Sequence, residues 1–106
     1  IMNLKYDMNI ENGAIEANLK RITNQIYKLL PNREEGIDWE TPLTTIMEEL
    51  AGMDRLLLDE HEILFCLLSK LEGLFMLINE DDFFLFRRTI FECLSLMNSL
   101  KQKCLV

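Results

Sequence analysis

Proline occurs twice and glycine four times in 106 residues, too rarely for the many tight turns of an all-β fold. Histidine occurs once, at His61, which leaves no multi-histidine metal site. Cys66, Cys93 and Cys104 are odd in number and show no C-x-x-C spacing, so neither a disulfide framework nor a zinc signature is present. The longest apolar stretch, ILFCLLSKLEGLFMLI at 63–78, has sixteen residues and contains Lys70 and Glu72. A membrane span needs about 20 apolar residues, and no membrane partner is expected. The opening IMNLKYDMNIENG has neither the basic start nor the apolar block of a secretory leader, and Ile1 before Met2 reads as a cloning remnant or fragment boundary. Glycine-rich phosphate loops and serine nucleophile elbows are absent too.

The residues that are present favour helices. Hydrophobic residues make up 49% of the chain and charged residues 27%, a globular composition that fits one domain over 1–106. Cys66 and Cys93 lie in apolar runs, where free cysteine behaves as a small hydrophobe, so both are expected in the core of a cytoplasmic protein. Net charge is −7, and its distribution is uneven. Ten acids between Pro31 and Glu62 face only Arg33 and Arg55, while the rest of the chain is close to neutral. Such a band repels phosphates and argues against direct nucleic-acid binding. Glu34, Glu35, Asp38, Glu40 and Glu48 mark it as a solvated face or as a surface for a basic partner.

Apolar periodicity predicts an all-α, four-helix up-down bundle. Ile15, Leu19, Ile22, Ile26 and Leu29 define helix 1 over Asn12 to Leu30, with Pro31 as its stop. No element is assigned to 1–11. Residues 31–41 read as a long strap, with Thr41 capping helix 2 and Pro42 opening it. Ile37 and Trp39 are the strap's only large apolar residues, and alternate spacing would turn both toward the bundle as anchors, the alternative for Trp39 being an exposed anchor for a partner. Helix 2 is expected over Pro42–Leu57, with Gly52 as an early end or a point of close helix approach. Helix 3 follows over Glu60–Ile78, opened by an Asp59–Glu62 capping box. Helix 4 comes after the turn NEDD at 79–82, with KQKCLV at 101–106 as a fraying end.

Helices 3 and 4 carry more apolar surface than one small bundle can cover. Phe84 and Phe91 are seven apart and share a face, and Leu96, Leu68 and Phe75 complete the expected interface of a homodimer. Arg87-Arg88 reads as surface electrostatics or a dimer-edge salt bridge, with Glu92 placed to pair with Arg88.

The strongest catalytic candidate is a set of acids. Glu48 and Glu49, Asp54 and the run DEHE at 59–62 could place Glu49 and Asp54 with Glu62 or Glu72 around Mg²⁺. In this the chain resembles the all-α nucleotide pyrophosphohydrolases, whose bundles carry an E-x-x-E set and an E-x-x-D set on facing helices. The resemblance implies Mg²⁺-dependent hydrolysis, but Gly52 stands where the second acid of the Glu49 set is needed. His61 between Glu60 and Glu62 does not make a metal site, because adjacent helical side chains diverge by about 100°. A Cys66–His61 pair is set against by five-residue spacing and apolar surroundings. The reading that follows is a non-enzymatic interaction module without cofactor, binding itself and a further protein, for which the acidic band admits a basic surface. An acidic mimic of nucleic acid is the alternative, and the hydrolase is the second.

Overall fold

Leucine and isoleucine at alternating three- and four-residue spacing build the core. Ile15, Leu19, Ile22, Ile26 and Leu29 form the buried stripe of α1 (Asn12–Glu34). Leu43, Ile46, Leu50 and Met53 do the same on α2 (Glu40–Met53), and Leu64, Leu67, Leu71 and Leu74 on α3 (His61–Leu74). A single 3-10 turn (Glu80–Asp82) leads into α4 (Phe83–Cys104), which buries Phe86, Ile90, Cys93, Met97 and Leu100. The computed structural model describes residues 12–53 and 61–104, and all four elements longer than that turn are α-helices. Each fully buried Leu, Ile or Phe contributes about 1.5–3 kcal/mol by leaving water. No polar or charged residue is buried among the described residues, so this core needs no internal ion pair.

Contacts between helices form a closed circuit. α1 packs against α2 and α4, and α3 packs against the same two, while the diagonal pairs do not meet among the described residues.

Helix ends depart from the sequence expectation in ways that local chemistry explains. Pro31 lies inside α1 rather than at its end. It removes one helical donor, yet the next turn continues through the Glu35 N–H to the Pro31 carbonyl at 3.0 Å. The actual stop is Gly36, at φ 71°, in the left-handed region that a side chain resists. The Gly36 N–H donates to the Arg33 carbonyl at 3.2 Å, and the Ile37 N–H reaches the Asn32 carbonyl at 2.8 Å. That pair of bonds is a Schellman motif with Gly36 just past the helix. The expected strap of 31–41 therefore shrinks to residues 35–39.

Asp38, not Thr41, caps α2. Its carboxylate accepts the Glu40 N–H at 3.0 Å and the Thr41 N–H at 3.2 Å. The Thr41 hydroxyl and backbone amide are the main reasons that the Asp38 carboxyl is held below its usual range. Pro42 sits within the first turn of α2, where its missing N–H would otherwise remain for the cap to satisfy.

α3 stops at Leu74, four residues short of the expected Ile78. Phe75, Met76 and Leu77 donate to carbonyls three residues back at 3.1–3.2 Å, tightening the last turn before the chain leaves. At the far end, residues 101–104 of the supposed fraying tail are helical. Gly52 meets nothing within 4 Å of an added Cβ, so no helix approaches it closely. The segment 1–11, the expected helix-2 residues beyond Met53, and the Asp59 side of the capping box lie outside the described residues.

Candidate functional site

Trp39 closes one end of the helix circuit. Its ring meets Phe86 edge-on at 5.0 Å and stacks on Phe75 at 6.3 Å, joining the start of α2 to the end of α3 and the start of α4. Ile37 does not share this role. It is half exposed, because the Gly36 turn breaks the extended geometry on which alternate spacing depends. Arg33 completes the closure, with its guanidinium 4.5 Å from the Phe86 ring centre and 5.6 Å from that of Phe83. Arg33 Nη2 donates to the Asn79 carbonyl at 2.6 Å, tying the end of α1 to the α3–α4 connection. Arg33 Nη1 is buried without a hydrogen-bond partner, on a guanidinium that lies over the Phe86 ring. Nothing in the composition pointed to Arg33, whose role depends on partners 46 to 53 residues away.

Of the carboxylates proposed for Mg²⁺, Glu49, Glu62 and Glu72 lie among the described residues. Glu49 is held by Arg21 across the α1–α2 contact, with the Arg21 Nη1–Glu49 Oε1 distance at 3.3 Å and a second contact through Nη2. That hydrogen bond is the first cause raising the Arg21 pKa. Glu62 is exposed on α3, and Asp54 lies outside the described residues. Among the described residues no group of three His, Cys, Asp or Glu could hold a metal ion. Glu34, Glu35, Asp38, Glu40 and Glu48 are all exposed, spread from the end of α1 across the loop and along α2.

Of the two cysteines expected in the core, only Cys93 is buried, and burial pushes its thiol up to about 12. Cys66 is exposed, because it faces away from the Leu64, Leu67 and Leu71 stripe of its own helix. Glu92 pairs with Lys70 on α3 at 3.6 Å rather than with Arg88. His61 is half-buried at the start of α3.

The residues expected to form one interface divide into two surfaces. Phe84 and Phe91 point outward from α4, 77% and 47% exposed, and Arg87 lies over the Phe91 ring at 5.6 Å. Leu96 is half-buried against the core. Leu68 and Phe75 instead line a groove between α2 and α3, with Met47, Ala51 and Phe65, around a cavity of about 590 Å³. A neighbouring hollow of about 360 Å³ shares Ala51, Phe65 and Leu68 and extends the groove to His61. Phe65 is 74% exposed on its wall. Its place on the groove wall was hidden in a helix apolar on most sides, where periodicity cannot say which neighbour covers which face.

No protein-family model, curated protein or solved structure matches the chain. No helix among the described residues is long and apolar enough to cross a membrane.

Proposed function

We propose that the protein is a non-enzymatic interaction module, an up-down four-helix bundle that pairs with a second copy through the outer face of α4. The observation that carries this reading is the exposure of Phe84 and Phe91 on one stripe of a helix whose inner face is already complete. Phe86, Ile90, Cys93, Met97 and Leu100 fill the inner face, so the two outer rings have no place in their own core. Covering them would bring about 1.5–3 kcal/mol per ring, offset by the cost of association. A two-fold contact uses the same patch on both copies and closes at a dimer. A reducing, cytoplasmic setting belongs to the same reading, supported by the free thiols Cys66 and Cys93.

Light scattering on a size-exclusion column tests the pairing. The expected mass is twice 12.5 kDa, falling to one copy in Phe84→Ser/Phe91→Ser with unchanged helical circular dichroism. A wild-type monomer at every concentration, or a double variant that stays dimeric, refutes it.

A further inference from the structure

The groove between α2 and α3 has a floor and a rim of opposite character. Met47, Leu68 and Phe75 are partly buried and packed against the core, which leaves one side of each apolar side chain in the groove. Phe65 stands beside them as a wall, 74% exposed, and no contact among the described residues covers it. The charged groups lining the groove are carboxylates, Glu48 from α2 and Glu72 from α3. Helical register adds two more, since Glu40 lies one turn before Thr44 and Glu62 one turn before Phe65. All four are exposed. Among the described residues of α2 and α3 the one lysine or arginine is Lys70, which holds Glu92 on the α4 side of α3. No lysine or arginine lines the groove among the described residues.

We infer that this groove binds an amphipathic helix of a partner protein, one with an apolar stripe flanked by lysine or arginine. Shape sets the first requirement. Along α3 the groove runs from His61 to Phe75, about 21 Å at 1.5 Å per residue, enough for a helix of about four turns. An apolar stripe at three- and four-residue spacing lies on the floor, with Phe65 against its side. Charge sets the second requirement. With carboxylates on both walls, a partner helix whose flanks are basic gains attraction along its whole length, and an acidic one is repelled. A second copy of this chain meets that requirement less well. Its exposed basic pair, Arg87 and Arg88, belongs to the α4 face, and seating α4 in a neighbour's groove is a head-to-tail contact that does not close at two copies.

The proposal rests on the reading of the protein as an interaction module, but on a different surface from the α4 face, so the two can fail separately. The probe is a fluorescent peptide of about sixteen residues, ~24 Å as a helix, with leucines on one face and lysines on both flanks. Its twin carries glutamates in place of the lysines. Fluorescence anisotropy with the full chain should show binding of the lysine peptide and none of the glutamate twin. Glu48→Lys/Glu72→Lys should weaken the lysine peptide by about tenfold or more and reverse the preference between the two. Phe65→Ser, at an exposed position that does not carry the core, should weaken it by about tenfold too. The wild-type mass should persist in that variant.

Several results would overturn the inference. One is absence of lysine-peptide binding. Another is equal binding by wild type, Phe65→Ser and Glu48→Lys/Glu72→Lys. A third is a drop in light-scattering mass on Phe65→Ser, which would assign the groove to a second copy. A wild-type monomer that still binds the lysine peptide would remove the α4 dimer and leave the groove. A dimer that ignores the peptide would remove the groove and leave the dimer.

Discussion

Replacing Trp39 by alanine tests whether the loop residue holds the bundle end together. Trp39 is 9% exposed and touches rings from the end of α3 and from α4. Truncation would remove roughly 150–200 Å² of buried surface. At about 25 cal/mol per Å² that is about 4–5 kcal/mol, an upper bound because the unfolded chain already covers part of the ring. A loss of about 3–4 kcal/mol is therefore expected, in line with large-to-small aromatic substitutions. A domain of this size has about 5–15 kcal/mol in total, so the variant would keep a folded state with a much lower midpoint. At about 4 °C per kcal/mol, Tm should fall by about 12–16 °C. Trp39→Phe keeps a ring against Phe86 and should lose only about 1–2 kcal/mol. Because Trp39 is the sole tryptophan, urea unfolding must be followed by far-ultraviolet circular dichroism rather than by its fluorescence. A loss below about 1 kcal/mol in Trp39→Ala, with unchanged urea slope, would refute the anchoring role.

Gly36→Ala should cost about 1 kcal/mol in the same assay, entirely through its φ of 71°, since an added Cβ there meets nothing within 4 Å. Gly36→Asn should cost less, because asparagine tolerates the left-handed region better. At neutral pH a thiol reagent should modify exposed Cys66 quickly and buried Cys93 only on opening. Cys93 has its folded pKa raised from 9.0 to about 12, so its contribution to stability is complete below pH 9 and is lost as pH rises toward 12. Cys93→Ala should flatten that alkaline limb relative to wild type, and parallel limbs would contradict the burial argument.

The helical stripes could be read from sequence because the rule behind them is local. Leu19, Ile22, Ile26 and Leu29 repeat with the helix turn, and the turn is the same wherever the helix packs. The end of α1 was misplaced because Pro31 was weighed as a stop. A proline removes one donor and disturbs one turn, whereas Gly36 offers a backbone state in which two carbonyls find partners. The Asp38 cap was within reach, since its side chain stands two and three residues before the amides that it accepts. Thr41-Pro42 offered a competing pattern three residues later. Trp39 was placed at the bundle end on the argument that a long strap needs an anchor. The loop proves short, and the rings of Phe75 and Phe86 explain its position better. What no local rule reaches is the division of apolar surplus between two surfaces. Phe75 and Phe84 are nine residues apart, yet one turns toward α2 and the other away from the core.

That division bears on how the two proposed surfaces act together. α3 contributes Leu64, Leu67, Leu71 and Leu74 to the common core and Phe65 and Leu68 to the groove, while the α4 stripe belongs to the opposite side of a neighbouring helix. Close-packed leucines resist small continuous deformation, so a ligand pressing on Phe65 has no soft path to Phe84. The surfaces share no residue, and Lys70–Glu92 spans the α3–α4 contact between them. Their free energies should then add, which means the peptide affinity of the dimer equals that of the Phe84→Ser/Phe91→Ser monomer within about twofold. A larger change would require α3 to have two packed arrangements, each favoured by one partner, and the bundle would then be a switch rather than a scaffold.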